Sequence, residues 1–394
     1  MARRQRLLLP LALVVFALIG WGLWAYFHPE PGPLRFAAAR FADLPGWNSG
    51  QPRAALAAFQ RSCAVLANKA DTAPMGGAGY AGSVGDWRPP CRAAGTASPG
   101  RARAFFETWF TPVAVSAGRV RDGRFTGYYE PEIAASRKPQ GSFRLPVYDR
   151  PGDLVTADLG AFRPSLKGES IAGRVQGGRL VPYATRAEID AEGLAQAPVL
   201  FYTDDPIALF FLHIQGSGRA RFADGSLVRV SYAAQNGQPY TAIGKTLIAR
   251  GVPRDGLSLQ TIKAWLKAHP GEARGVMESD ASYVFFREEP LGDAALGAKG
   301  AQGVPLTPYA SLAVDPRLHA LGTPFYVSGE APLGRLFVAQ DIGGAIRGPL
   351  RGDVYFGFGA EAEARAGSMN QMGRFYALLP KPVVQRLAQN GNLE

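Results

Sequence analysis

Between Leu336 and Gly359 the chain alternates twice. Leu336 and Val338 interleave with Phe337 and Ala339, and then Val354, Phe356 and Phe358 interleave with Asp353, Tyr355 and Gly357. A period of two predicts a pair of half-buried strands. The connector DIGGAIRG carries Gly343, Gly344 and Gly348, which permit positive φ and let backbone or ligand approach closely. Each run brings an aspartate to this turn, Asp341 and Asp353, twelve positions apart (353 − 341).

Elsewhere the pattern changes character. Arg53 to Lys69 and Ala102 to Phe110 have helical spacing and are joined by a polar, Gly-rich connection from Ala73 to Gly100. Strand-like segments follow: FTGYYEP from Phe125 to Pro131, FRLPVYDRP, RVQGGRLVPY and the long stretch Phe210 to Ile248, which turns at Asp224-Gly225, a hairpin pair. A short helix is predicted at TRAEIDAEG, a longer one from Ser258 to Ala268 ending before Pro270, and a last one from Lys381 to Gln389. With Gly 48 and Pro 31 in 394 residues, the reading is mainly β with peripheral helices, long enough for two domains.

The amino terminus adds a membrane element. Arg3, Arg4 and Arg6 precede an uncharged apolar run from Leu7 to Phe27, 21 residues (27 − 7 + 1), about the length that spans a bilayer. Trp21, Trp24 and Tyr26 suit the far interface, and the basic start stays cytoplasmic. The expectation is a retained inner-membrane anchor over residues 1–35 with the remainder in the periplasm; a cleaved signal peptide is the alternative. Beyond residue 30 the net charge falls only from +11 to +9 (11 − 3 + 1), a surplus that favours anionic envelope polymers over nucleic acid in that compartment. Cys63 and Cys91, 28 positions apart, form a plausible disulfide there, with a buried free thiol on the Leu56, Phe59, Leu66 helix face as the alternative. His28, His213, His269 and His319 are scattered without metal-ligand spacing, and no cofactor is implied.

Gly357, Gly359 and Ala362 match a dinucleotide fingerprint in form, but from Ala364 onward the only acidic residue is Glu394, so the required acid about 20 positions on is missing. Sugar recognition fits the remaining motifs better. Tyr128, Tyr129 and Glu130 offer rings and a hydrogen-bonding edge, Gln215, Ser217 and Gly218 form a polar turn, and Asn236 and Tyr240 form another.

Taken in order, FTGYYEP, FFLHIQGSGRARFADG, YAAQNGQPYTAIGKTLI, SYVFFRE, VPLTPYASLAVDPRLHALGTPFYV and DIGGAIRGPLRGDVYFGFG resemble the membrane-bound lytic murein transglycosylase A family over roughly Phe105 to Leu379. The last block resembles its three-aspartate domain, to which Asp315, Asp341 and Asp353 correspond. The resemblance implies a double-psi β-barrel domain, 36–123 plus 231–394, an inserted smaller β-barrel, 124–230, and a glycan groove between them. It also implies Asp353 as catalytic acid. Asp341 is expected to tune that acid, orient the sugar or stabilise the cationic transition state, Asp315, Gly343 and Gly344 are expected among the substrate contacts, and peptidoglycan strands, with other cell-wall enzymes, are the expected partners. Two features depart from the family: Asp280-Ala281 stands where Asn-Pro is expected, and the lipoprotein cysteine is absent. Two rival readings remain at this stage, an inverting glycan hydrolase on the same barrel and a non-catalytic wall-binding module.

Overall fold

The computed structural model describes residues 32–49, 52–166 and 169–394; the expected anchor, Leu7 to Phe27, lies outside them. Among the described residues no helix is long and apolar enough to cross a membrane.

The chain opens with β1 (Leu34–Ala38), then α1 (Arg53–Leu66), α2 (Val84–Thr96) and α3 (Ala102–Trp109), before β2 (Phe110–Ala117) and β3 (Asp122–Glu130). The Gly-rich connection expected between Ala73 and Gly100 thus contains a helix. Ser83 and Asp86 cap it reciprocally, and it tolerates Pro89 and Pro90 inside. Cys63 on α1 and Cys91 on α2 are joined as a disulfide, which pins the two helices together. Phe59, Trp87, Phe106 and Phe110, all essentially unexposed, fill the space between these helices and the sheet.

The middle of the chain holds β4 (Glu132–Ala135), β5 (Leu145–Tyr148), β6 (Val155–Asp158), β7 (Ser170–Gln176), β8 (Arg179–Pro182), α4 (Arg186–Glu192), β9 (Val199–Thr203), α5 (Pro206–Gln215), β10 (Gly218–Phe222), β11 (Leu227–Gln235), α6 (Ile243–Ala249), α7 (Leu259–Ala268), α8 (Pro270–Glu278) and β12 (Val284–Pro290). Strands β12-β11-β10-β4 form one sheet and β5-β9 another. Bridges Ser136–Tyr202 and Asp149–Phe286 join their edges, so six strands close into a small barrel. Closure removes exposed strand edges, and Ile133, Val147, Phe201, Ala220, Val230 and Phe286 fill its centre. Strands β6, β7 and β8 form a separate three-stranded sheet.

The chain then returns through β13 (Ser311–Ala313), β14 (Pro324–Val327), β15 (Arg335–Asp341), β16 (Arg351–Phe358), α9 (Gly359–Ser368), β17 (Asn370–Pro380) and α10 (Lys381–Gln389). The large sheet runs β1-β2-β17-β14-β15-β13-β16-β3, and β17 also pairs β3. Six of these strands therefore close a second, larger barrel, and β2 and β1 extend from it along β17. The mainly β, two-barrel architecture is the expected one, but its seams differ from expectation. Arg124 to Glu130 belong to β3, paired with β16 and β17 of the large barrel. The boundary expected at Val230 falls inside β11, whose antiparallel partner β12 lies more than fifty residues on.

Candidate active site

Four adjacent strands place the two aspartates. Strand β13 lies between β15 and β16, and its Ala313 pairs with Asp341 on one side and Asp353 on the other. On the far side of β16, Asp353 pairs with Thr126 of β3. Paired residues share a face, so Asp341, Ala313, Asp353 and Thr126 form one row across the sheet. Two strand spacings separate the aspartate backbones by roughly 10 Å. A β-bulge sets this register: between Leu312 and Ala313 the partner strand advances from Ala339 to Asp341. The extra residue, Gln340, is fully buried and reaches Ser311 Oγ at 2.6 Å, Ala58 O at 2.8 Å and Ser62 Oγ at 2.9 Å. Anchoring Gln340 inward on α1 turns Asp341 outward into the row.

The two carboxylates have different surroundings. Asp341 is engaged on both oxygens: Tyr128 Oη donates to Oδ2 at 2.9 Å and the Ala301 N–H donates to Oδ1 at 2.9 Å. Burial raises its pKa, opposed by the N–H groups of Ala301 and Ile342 and by Tyr128. Gly300 makes the Ala301 contact possible, because a Cβ there would lie 2.5 Å from Gln340 O and 3.2 Å from Asp341 Cβ. Asp353 receives one hydrogen bond, from Thr126 Oγ1 to Oδ1 at 2.7 Å; its other oxygen has no partner among the described residues and is not sealed from solvent. Burial pushes the Asp353 carboxyl up to about 6, with Thr126 and Arg351 pulling it down and Asp341 adding a smaller push. Tyr240, 42% exposed on the segment after β11, lies close enough for Asp280 and Asp353 to add to the burial that pushes its phenol up to about 12. Tyr240 therefore lies within electrostatic range of Asp353.

Several residues expected to touch substrate are instead occupied internally. Glu130 is fully buried: Arg219 donates to it at 3.2 Å, Arg229 at 2.8 Å, and the Ala298 N–H also donates. Burial pushes its carboxyl up against the pull of these donors. The cluster ties the end of β3 to β10 and β11, where one barrel meets the other. Asn236 is fully buried and spends its whole side chain, donating to Ala184 O and Ala281 O and accepting from the N–H groups of Tyr283 and Gln238. Asp315 is fully buried as well. Although burial opposes it, Arg317, paired through both carboxylate oxygens, and the Gly348 and Arg317 N–H groups hold the acid below the usual range. It fixes the loop that carries Gly343 and Gly344, which themselves lie half-buried and exposed.

Tyr129 is 1% exposed; its N–H donates to Gln215 Oε1 at 3.0 Å and its hydroxyl meets Lys263 Nζ at 3.2 Å. Gly218 packs rather than binds, since a Cβ there would lie 2.5 Å from Leu212 Cδ1 and 2.6 Å from Pro131 O. Ser217 stays half-buried in the same turn. Of the expected residues, Tyr128, Asp341 and Asp353 converge, and Tyr240 lies within electrostatic range of Asp353. Thr126 and Arg351 join them without having been singled out. Arg351 stands two residues before Asp353 on one strand, hence on the same face, and that spacing was the available signal. A cavity of about 700 Å³ beside Glu132, Arg137 and Arg221 contains neither aspartate.

Comparison with known proteins bears on the family and the fold. Residues 124–287 match a family model described as the MltA specific insert domain, and residues 310–379 match the 3D domain. The chain is 35% identical over 290 residues, 70% of each chain, to membrane-bound lytic murein transglycosylase A of Escherichia coli K12. A crystal structure of membrane-bound lytic murein transglycosylase from Agrobacterium tumefaciens superposes with TM-score 0.79 at 33% identity, covering 89% of this chain and 99% of that one. Escherichia coli MltA with bound chitohexaose superposes with TM-score 0.59 at 30% identity, covering 82% and 90%. The chain belongs to the membrane-bound lytic murein transglycosylase A family.

Proposed function

We propose that this protein cleaves the β-1,4 bond between N-acetylmuramic acid and N-acetylglucosamine in peptidoglycan without water, with Asp353 as acid and then base. The observation that carries the reading is the asymmetry of the row: Asp341 is engaged on both oxygens, whereas Asp353 keeps one free and a pKa pushed up to about 6. A carboxyl near neutrality suits general-acid work at envelope pH. Its proton passes to the bridging oxygen as the C1–O bond breaks. Positive charge develops at the muramoyl C1, and the C6 hydroxyl of the same sugar closes onto C1 while its proton passes to the Asp353 carboxylate. The acid is regenerated, one chain ends in a 1,6-anhydromuramoyl group, and the other gains a free hydroxyl. Because the nucleophile is part of the substrate, intramolecularity replaces a bound water.

Asp341, held by Tyr128 and Ala301, orients sugar or steadies the cationic transition state electrostatically. Tyr128 and Tyr240 flank the glycan from the two sides of the groove, and the exposed turn at Gly343 and Gly344 lies along its path. The domain division that fits the strand pairing runs the insert from about residue 131 to 290, with the remainder forming the large barrel. The family places the protein in the cell envelope. Leu7 to Phe27 would hold it in the inner membrane with the barrels in the periplasm, within reach of other cell-wall enzymes.

The test is incubation of the chain from Pro31 onward with purified murein, beside Asp353→Asn, with products read by mass spectrometry. Anhydromuramoyl ends that disappear in the variant are expected. Reducing ends one water heavier would assign a hydrolase, and no new ends from folded protein would leave a wall-binding module.

A further inference from the structure

Two groups line up behind the acid. Arg351 donates from Nη2 to Thr126 Oγ1 at 2.7 Å, and Thr126 Oγ1 lies 2.7 Å from Asp353 Oδ1. The guanidinium is itself held, with Nη1 2.7 Å from Gly352 O and 3.1 Å from Arg124 O. A guanidinium only donates, and a threonine hydroxyl has one hydrogen. With Arg351 on its oxygen and no other acceptor described for it, Thr126 directs that hydrogen to Asp353 Oδ1.

We infer that Arg351 and Thr126 are positioning residues that fix the catalytic proton on Oδ2 of Asp353, the oxygen open to the groove. A carboxyl that accepts a hydrogen bond at Oδ1 carries its own proton on the other oxygen. Without the pair, the proton exchanges between both oxygens and the side chain rotates about its last bond. With it, the same oxygen that gives the proton to the bridging oxygen is the one presented to the C6 hydroxyl. Both groups also stabilise the carboxylate left after the first transfer. Register alone builds the arrangement: Thr126 pairs with Asp353, and Arg351 pairs with Arg124 two positions earlier on the same two strands.

The inference rests on the reading of Asp353 as acid and base, and the experiment separates the two. The full chain in detergent and its Thr126→Val, Thr126→Ser and Arg351→Met variants are assayed on soluble murein glycan strands across pH, counting anhydromuramoyl ends. Loss of the hydroxyl or of the guanidinium removes stabilisation of the carboxylate, so the alkaline limb of kcat/KM moves upward by roughly 0.5–1 pH unit. In Thr126→Val kcat falls about 10- to 100-fold, and Thr126→Ser restores it to within a few-fold of wild type. An unmoved limb in Thr126→Val, or a serine variant no better than the valine variant, would overturn the relay while leaving Asp353 in place. Should one substitution prevent folding, the other still decides, since each must move the limb in the same direction. Wild-type protein yielding reducing ends, or Asp353→Asn retaining turnover, would instead overturn the reading of the acid itself.

Discussion

Keeping Asp353 protonated has a thermodynamic consequence that Asp353→Asn exposes. The carboxyl rises from 3.8 to about 6 on folding, chiefly through burial. Folded protein therefore binds more protons than unfolded protein between about pH 4 and pH 6, and stability falls as pH rises through that window. Above pH 6 the folded state carries the full cost of a buried carboxylate. Roughly two pKa units at about 1.4 kcal/mol each set an upper bound near 3 kcal/mol, and the solvent access of Oδ2 lowers the expectation to about 1–3 kcal/mol. Asparagine keeps the acceptor for Thr126 and never ionises. Urea unfolding of both proteins at pH 4 and pH 8 should show the variant more stable by that amount at pH 8 and nearly equal at pH 4. An equal gain at both values would mean that ionisation is not its source. A loss at pH 8 would mean that Arg351 and Thr126 outweigh burial, and the raised acid would have to be abandoned.

Other outcomes follow from the same geometry. kcat/KM for murein should fall tenfold per unit above about pH 6, and Asp341→Asn, by removing a like charge, should shift that limb slightly downward, opposite to the Thr126 and Arg351 variants. Glu130→Gln leaves two buried guanidiniums without their carboxylate and should cost about 3–5 kcal/mol. For a chain of this size that lowers Tm by roughly 4–10 °C in calorimetry, while the pH profile of the remaining active protein stays in place; a displaced limb would return Glu130 to the chemistry. Replacing Cys63 and Cys91 by serine should cost about 3–4 kcal/mol from the 28-position loop, read as a lower urea midpoint that reductant reproduces in wild type.

The sequence was legible where local pattern and tertiary role coincide. The alternation at Leu336 to Ala339 and at Asp353 to Phe358 became β15 and β16, and the apolar stripe of Arg53 to Lys69 became α1. Phe210 to Gln215 were read as strand because helix α5 is apolar nearly all round. Leu209 and Leu212 face the small barrel while Phe210 and Phe211 face the helices α6 to α8, so no amphipathic period survives. The usable signal was Asp205-Pro206, whose aspartate caps Ile207 and Ala208. Helix α2 was hidden by Pro89 and Pro90. Glu130 and Asn236 look like sugar ligands in isolation, and their partners Arg219, Arg229, Ala184 and Ala281 lie 45 to 99 positions away. Pairing at that separation leaves no local trace.

Topology also explains why two aspartates on consecutive strands need not act as a pair. Were β15 and β16 neighbours, their carboxylates would face each other across about 5 Å, the separation that suits an acid and a nucleophile of the protein. Inserting β13 doubles the backbone spacing and puts the small Ala313 between them. The bulge at Gln340 then delivers Asp341 to Tyr128 and Ala301, which occupy both its oxygens. A base that must take a proton from water works best when its carboxylate is not already stabilised, and the donors on both Asp341 oxygens lower its basicity. Asp353 alone retains an open oxygen. The proposed reaction asks one carboxyl to give and then accept a proton, with the nucleophile supplied by the substrate, and the C6 hydroxyl of N-acetylmuramic acid is the group that would supply it.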